Sequence, residues 1–192
     1  MPRTKEFDVN EVLLKAMQLF WEQGYEKTSI NDLVEHLGIH RRSLYDTFGD
    51  KHQLFLQAVE AYKNFLEGQF ERGIADAGSS KQALRFLFDF MIEGYENKPP
   101  GCLFVNMAVE LALRDQEADA HAGESFEELE RLLAELIRKG QESGEFSNSL
   151  GTEELAENLH TTMIGLRVLA RTSADRSKLH RIADTALLLL YK

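Results

Sequence analysis

Apolar residues recur along this chain at intervals of three and four positions, and polar residues fill the positions between them. From Val9 to Phe20, and again from Ile30 to Leu37, this spacing places the apolar side chains on one face of an α-helix. No segment shows the period-two alternation that is typical of a β-strand. The pattern therefore predicts an all-α protein.

Glycines and N-cap residues divide this pattern into about nine helices. Gly24, Gly38 and Gly49 follow the first three apolar segments, and glycine commonly ends a helix. Asp50 and Gln53 form a capping-box pair, which predicts the start of the fourth helix. The nine helices are expected to begin near residues 9, 30, 40, 51, 80, 102, 117, 152 and 175.

The charge balance bears on which partners the chain can have. Its 192 residues include 22 Lys and Arg against 32 Asp and Glu, for a net charge of −10. Residues 1–56 carry seven basic and nine acidic side chains, so most of the excess negative charge lies in residues 57–192. This balance does not favour unspecific binding to nucleic acid, but it allows a local basic face around Arg41, Arg42 and Lys51.

The sequence disfavours several other classes of protein. The longest apolar run, residues 186–191, is too short to span a bilayer, and no export signal precedes the first helix. The single cysteine, Cys102, fits a reducing compartment, so we expect a cytoplasmic protein with no membrane partner. His36 and His40 have a spacing that metal ligands use, but Gly38 interrupts the helix between them, so no metal site is predicted. No cofactor and no enzymatic activity are expected, because no catalytic constellation stands out.

The most informative pattern lies between Thr28 and Phe55. Two helices of about eight residues flank a short turn, where Gly38 can adopt the left-handed conformation that lets the second helix cross the first steeply. This is the helix-turn-helix plan, in which the second helix enters a DNA major groove about 12 Å wide. Side chains able to contact bases or phosphates occupy the first turn of that second helix: His40, Arg41, Arg42 and Ser43.

Two consecutive segments, GYEKTSINDLVEHL (Gly24–Leu37) and GIHRRSLYDTFGDKHQLF (Gly38–Phe55), resemble the N-terminal signature of TetR-family transcriptional regulators. PGCLFVN (Pro100–Asn106) is similar to a segment seen in many members of that family. The resemblance implies a three-helix DNA-binding domain in residues 1–56 and a helical effector-binding and dimerisation domain in residues 57–192. It also implies a homodimer that binds a palindromic double-stranded DNA operator, by default as a repressor, and is released by a small-molecule effector.

The resemblance assigns roles to single residues as well. Thr28 and Ser29 match phosphate-contacting positions at the start of the second helix. Tyr45 and Lys51 match a phosphate-contacting tyrosine and a phosphate-binding lysine, and Arg41 to Ser43 match positions that read bases or the DNA backbone. The full predicted DNA-binding set is Thr28, Ser29, His40, Arg41, Arg42, Ser43, Tyr45 and Lys51.

The predicted helix near residues 80–93 is apolar around most of its circumference. Such a helix must be covered on several sides or must line a cavity, so its residues are candidates either for ordinary core or for a pocket that takes an apolar or aromatic effector. The candidate pocket residues are Phe65, Phe86, Leu87, Phe90, Met91, Cys102, Phe104, Met107 and Met163. Cys102 has a second interpretation as a sensor of electrophiles or oxidants, because backbone N–H groups at a helix N-terminus can stabilise a thiolate. A small buried residue is the alternative.

The last two predicted helices carry apolar stripes that suit dimerisation. Two such stripes, doubled by twofold symmetry, would form a four-helix interface, although packing within one chain explains them equally well. The candidate interface residues are Leu155, Leu159, Leu166, Leu169, Ile182, Ala186, Leu187 and Leu190.

Two other functions stay open at this point. One is a small-molecule or redox sensor whose helix-turn-helix no longer binds DNA, which the acidic composition would fit. The other is an all-α enzyme that uses the apolar cavity.

Overall fold

The computed structural model describes residues 7–95 and 98–191. Within these ranges the chain forms nine α-helices, followed by a short 3-10 turn over Leu188–Tyr191. No helix there combines the length and the hydropathy that crossing a bilayer requires. The helices are α1 (Val9–Gln23), α2 (Ile30–Leu37), α3 (Arg41–Phe48), α4 (Lys51–Ala75), α5 (Ser80–Glu93), α6 (Leu103–Leu111), α7 (Gln116–Glu142), α8 (Thr152–Leu169) and α9 (Arg176–Leu187).

The helix starts follow the capping residues in the sequence. The Ser29 and Asp50 side chains each accept a backbone N–H from the third residue of their helix, and Ser79 caps α5 in the same way. The all-α prediction is confirmed, and so is the number of helices. Helix α6 ends at Leu111, because Asp115 caps the start of α7 and residues 112–114 form the turn between the two helices.

Two hydrophobic cores organise the chain. The N-terminal core is formed by α1 to α3 and the first half of α4, together with α6 and the start of α7. The C-terminal core is formed by α5, α8, α9 and the rest of α7, together with Phe70 from the second half of α4. Helix α4 therefore belongs to both cores, and the domain boundary predicted at residues 56–57 falls inside this helix.

Most of the predicted interface residues belong to the C-terminal core of their own chain. Five of them are at most 9% exposed, because these faces of α8 and α9 are covered by other helices of the same chain. Those five are Leu155, Leu159, Leu166, Leu187 and Leu190. These five side chains pack inside their own chain, whereas Leu169, Ile182 and Ala186 are only partly buried and stay candidates for the dimer interface.

Candidate DNA-binding face and internal cavity

Helices α2 and α3 are joined by a tight turn whose geometry depends on Gly38. This residue has φ 66° and ψ 28°, the left-handed conformation, and its N–H donates to the Val34 carbonyl. Leu33 on α2 and Leu44 and Phe48 on α3 are buried against the N-terminal core. Because α3 is anchored by this inner face, its opposite face is presented to solvent.

The exposed face of α3 carries the predicted DNA-contacting side chains. His40, Arg41, Arg42 and Tyr45 are exposed, and Ser43 is half-buried. The guanidinium carbon of Arg41 lies 5.9 Å from the centre of the Tyr45 ring. The Arg42 side chain is 92% exposed, with its Nε 3.5 Å from an Asp46 carboxylate oxygen on the next turn of α3. Both guanidinium groups can therefore leave these weak surface contacts for a polyanion at little cost.

The two predicted contacts at the start of α2 differ in the structure. Ser29 is exposed at the N-cap. Thr28 is fully buried, and its hydroxyl donates to the Gly24 carbonyl at 2.6 Å. Its side chain is not available to a phosphate in this conformation, so the prediction for Thr28 does not fit the structure. The sequence alone does not distinguish the hydroxyls of Thr28 and Ser29. Only the geometry of the turn makes one buried and the other exposed.

Lys51 begins α4 beside the helix-turn-helix. Its Nζ lies 4.1 Å from the centre of the Tyr25 ring, a cation–π contact that holds the half-buried ammonium group in place. The pKa of Lys51 lies below its ordinary value, chiefly because partial burial disfavours the charged form, while Glu26 and Glu110 oppose this shift. Lys51 is thus a pre-positioned donor next to the exposed face of α3.

Hydrogen bonds that no local sequence pattern predicts join helix α6 to the helix-turn-helix. A carboxylate oxygen of Glu110 accepts the backbone N–H of Tyr25 at 2.8 Å and that of Glu26 at 3.2 Å, in the turn between α1 and α2. The Asn106 side-chain amide donates to the Trp21 carbonyl at 3.2 Å. A shift of α6 would therefore act directly on the turn that leads into α2.

Asp115 forms a second link, between α4 and α7. Its carboxylate accepts two N–H groups of the first turn of α7 and lies 2.6 Å from His52 Nε2. The pKa of Asp115 is below its ordinary value, first because the Ala118 N–H donates to the carboxylate, with His52 adding to the effect.

We expect Asp115→Asn to destabilise the fold in a pH-dependent way. A carboxyl with a lowered pKa stabilises the folded state above its ordinary pKa, and that contribution is lost as the pH falls through the folded-state value. Because asparagine still caps a helix, the free energy of unfolding should fall by up to about 1 kcal/mol at pH 7. The difference from wild type should shrink as the pH falls below the ordinary aspartate pKa of about 3.9 and towards the lower folded-state value. Urea unfolding at pH 7, 5 and 3 measures this, and a difference as large at pH 3 as at pH 7 would contradict it.

A cavity of about 450 Å³ lies between α4, α5, α6, α7 and α8. Its volume is in the range of sites that enclose small molecules. Its walls are mainly apolar, and its charged side chains, apart from the buried Arg167, lie towards the more exposed part of its rim. The apolar walls come from Leu66, Phe70, Ile74, Phe90, Met91, Phe104, Val105, Phe126, Leu129, Leu132, Met163 and Ile164.

Five of the nine predicted pocket residues line this cavity: Phe90, Met91, Cys102, Phe104 and Met163. The other four do not line it. Phe65 packs near Trp21 and Tyr95, and Phe86 lies in an open groove between α5 and α9. Leu87 is fully buried in the C-terminal core, and Met107 belongs to the N-terminal core.

Sequence reasoning missed the polar residues of the cavity wall. Tyr62, His160 and Arg167 are all buried and line the cavity together with Cys102. The His160 Nδ1 lies 2.7 Å from a carboxylate oxygen of Glu130. Each of these polar residues lies on an otherwise apolar face of its helix. A single polar residue on such a face is the one sequence feature from which these cavity residues could have been predicted. Within the described residues, no three His, Cys, Asp or Glu side chains cluster closely enough to hold a metal ion.

A helix-turn-helix with an exposed cationic second helix, joined to a helical domain that contains a cavity, defines the class of helix-turn-helix transcriptional regulators. Comparison with known proteins gives the family. Residues 12–58 match the model of bacterial regulatory proteins of the tetR family, and residues 80–186 match the tetracyclin repressor-like C-terminal domain. The chain belongs to the TetR family of transcriptional regulators, whose members are DNA-binding proteins rather than enzymes.

Individual relatives match over nearly the full length. The chain is 33% identical to the uncharacterized HTH-type transcriptional regulator YezE of Bacillus subtilis, over 99% of this chain and 100% of YezE. It is 32% identical to the HTH-type transcriptional repressor ComR of Escherichia coli, over 96% of this chain and 90% of ComR. Among solved structures, a cysteine mutant of the TetR-family regulator CifR in complex with 26-bp operator DNA superposes with a TM-score of 0.86 at 29% identity, covering 98% of this chain and 99% of CifR.

Proposed function

We propose that this protein is a repressor that binds a palindromic operator as a homodimer and is released when an effector occupies the cavity. The observation that carries the proposal is the exposed face of α3, where Arg41, Arg42 and Tyr45 project from a helix anchored by Leu44 and Phe48. A twofold dimer would place two such helices in successive major grooves, roughly 34–36 Å apart. The repressor ComR and the operator complexes of CifR support this assignment by similarity.

The surface of α8 and α9 supports the dimer. TetR regulators are dimers, and here the outward faces of these two helices expose apolar side chains. Val168 on α8 is 48% exposed, and Leu188 in the 3-10 turn directly after α9 is 58% exposed. The partly exposed Leu169 lies on α8, and Ile182 and Ala186 lie on α9. Burying such side chains against a second copy would stabilise the pair, which is the common origin of twofold homodimers.

The cavity supports release by an effector. It is enclosed mainly by apolar groups and is bordered by α6, whose other residues hold the turn before α2. A ligand that binds more tightly when α6 is displaced would shift the population towards a state in which the two recognition helices no longer match the operator.

The test is selection of bound sequences from a random double-stranded DNA pool, followed by affinity measurements against salt. We expect a palindrome to be enriched and its affinity to fall steeply as salt rises, because lysines and arginines displace counterions from DNA. Failure to enrich any sequence, even at low salt and in reducing buffer, would overturn the proposal and favour a sensor that has lost DNA binding.

Cys102 supports a second way of releasing the operator. It is half-buried, lines the cavity and stands at the N-cap of α6, where its side chain makes no capping hydrogen bond. Its thiolate would add to the β-carbon of an activated C=C bond, with a proton from solvent completing the adduct at the α-carbon. Cys102→Ser should then keep operator binding but no longer respond to N-ethylmaleimide. Equal release of both proteins by this reagent would exclude the thiol route.

A further inference from the structure

The hydroxyl of Tyr62 makes no hydrogen bond of ordinary geometry, although the Cys102 thiol and the Leu103 N–H lie near it. Tyr62 is fully buried, and its oxygen is shielded from solvent although its side chain lines the cavity wall. Leaving a buried hydroxyl unpaired is costly, so native proteins rarely do it without a reason. The pKa of Tyr62 lies well above its ordinary value, chiefly because burial disfavours the phenolate; Cys102 adds to the shift and the charge of Arg167 opposes it. The hydroxyl is therefore a neutral donor held near a thiol and a guanidinium group.

Arg167 is a buried cation without an anionic partner. Its side chain is 3% exposed, and its two terminal nitrogens donate to the backbone carbonyls of Met91 and Gly101. Among the residues that the structure describes, no carboxylate forms an ion pair with this guanidinium. Buried charges are normally paired. Because a guanidinium has five N–H donors, the two carbonyls leave donors free for a further acceptor.

The other cation on the cavity wall is already neutralised. Lys63 Nζ lies 2.7 Å from a Glu128 carboxylate oxygen and 3.8 Å from one of Glu124, near the more exposed rim. His160 is likewise matched by Glu130 at 2.7 Å. The unmatched positive charge on the wall is thus that of Arg167, near Tyr62, whereas the carboxylates of Glu67 and Glu71 lie at the exposed rim.

We infer that the cavity takes an amphipathic carboxylate, with an apolar chain or ring between the phenylalanine and leucine side chains and a carboxylate accepting hydrogen bonds from Tyr62 and Arg167. The inference rests on the proposed role of the cavity as the effector site and adds the chemical class of the effector. A carboxylate supplies both features that the wall lacks: an acceptor for the orphaned hydroxyl and a counter-charge for the guanidinium.

The test compares pairs of ligands that share the same apolar body and differ only in the head group. Octanoate and 1-octanol form one pair, and 4-phenylbutyrate and 4-phenyl-1-butanol form the other. Binding is followed by the fluorescence of Trp21, the single tryptophan, whose ring centre lies 4.7 Å from that of Tyr62, and is confirmed by calorimetry. Desolvation alone favours the alcohol, because a charge is harder to bury than a hydroxyl. We expect the carboxylate of at least one pair to bind at least about tenfold more tightly than its alcohol, the gain typical of hydrogen bonds to charged groups.

Tyr62→Phe removes one oxygen and leaves the packing in place. In this variant the ratio of carboxylate to alcohol affinity should fall to about threefold or less, and alcohol binding should be unchanged. If the role of Tyr62 were merely structural, the substitution would not alter that ratio. Lys63→Gln is the matched control, because Lys63 is already paired, and its ratio should equal that of wild type.

Three results would overturn the inference: no binding by either pair, equal affinity for the two head groups, or an unchanged ratio in Tyr62→Phe. The effector role is judged separately, on operator binding. A carboxylate that binds with the expected preference but leaves operator affinity unchanged would disprove effector control through the cavity and leave the assigned ligand class intact.

Discussion

Arg41→Ala is expected to weaken operator binding by roughly 1–3 kcal/mol at each half-site, the usual value of a guanidinium paired with a guanine edge. For a dimer with two recognition helices the affinity should fall at least about thirtyfold. Discrimination at the contacted base pair should relax at the same time. Arg41 supports this expectation because it is exposed at the start of α3, where its guanidinium group contacts the ring of Tyr45.

A matched control separates specific contact from loss of charge. Arg138→Ala removes the same group from an exposed site on α7, where Arg138 contacts Glu153, so it should leave operator affinity nearly unchanged.

Lys51→Ala should weaken binding to all sequences alike and lower the salt slope by about one per half-site, since a lysine on a phosphate reads no base. Normal operator binding by the Arg41→Ala, Lys51→Ala double variant, if it is folded, would refute the assigned DNA-binding face.

Glu110→Ala is expected to loosen the link between the cavity helix and the helix-turn-helix. The variant leaves the N–H groups of Tyr25 and Glu26 without their shared acceptor. The free energy of unfolding should drop by about 0.5–1.5 kcal/mol, the usual net contribution of a hydrogen bond, because one of the two bonds is half-buried and the other is exposed. Operator affinity should fall as well, because the turn that positions α2 loses its anchor. Chemical unfolding and operator titration measure the two effects.

Glu110→Gln is the control for that experiment. The amide oxygen can still accept both N–H groups, so this variant should keep most of the stability and most of the operator affinity. Full wild-type stability in Glu110→Ala would show that the hydrogen bonds across α6 contribute nothing. Equal losses in both variants would show that the charge, rather than the acceptor geometry, holds the turn.

Features that depend only on a few neighbouring residues were predicted correctly. Capping side chains and glycines act within one helical turn, so Ser29, Asp50 and Gly38 mark their helix ends wherever the rest of the chain lies. The exposure of Arg41 and Arg42 follows in the same way, because the helical period places Leu44 and Phe48 on the opposite face.

Features that depend on which helix packs against which were not predictable. Periodicity identifies an apolar face but does not name its partner, so Leu155 and Leu159 fit an interface between chains as well as the core that they in fact occupy. Leu87 and Met91 lie on one helix, yet only Met91 reaches the cavity. The bond from Glu110 to Tyr25 spans 85 residues, and no local pattern reports such a contact.

The membership of α4 in both cores, and of α6 in the N-terminal core, determines how hybrid regulators can be built. A chimera cut at residue 56 would divide α4 and join it to a foreign α6, so Leu54 and Phe55 would meet side chains that did not evolve with them. If α2 and α3 alone are exchanged, the cavity, α6 and the hydrogen bond between α6 and Tyr25 all come from the same parent protein. A new operator specificity can thus be grafted as a segment of about 20 residues, whereas a new effector specificity has to be transplanted with α4 and α6 included.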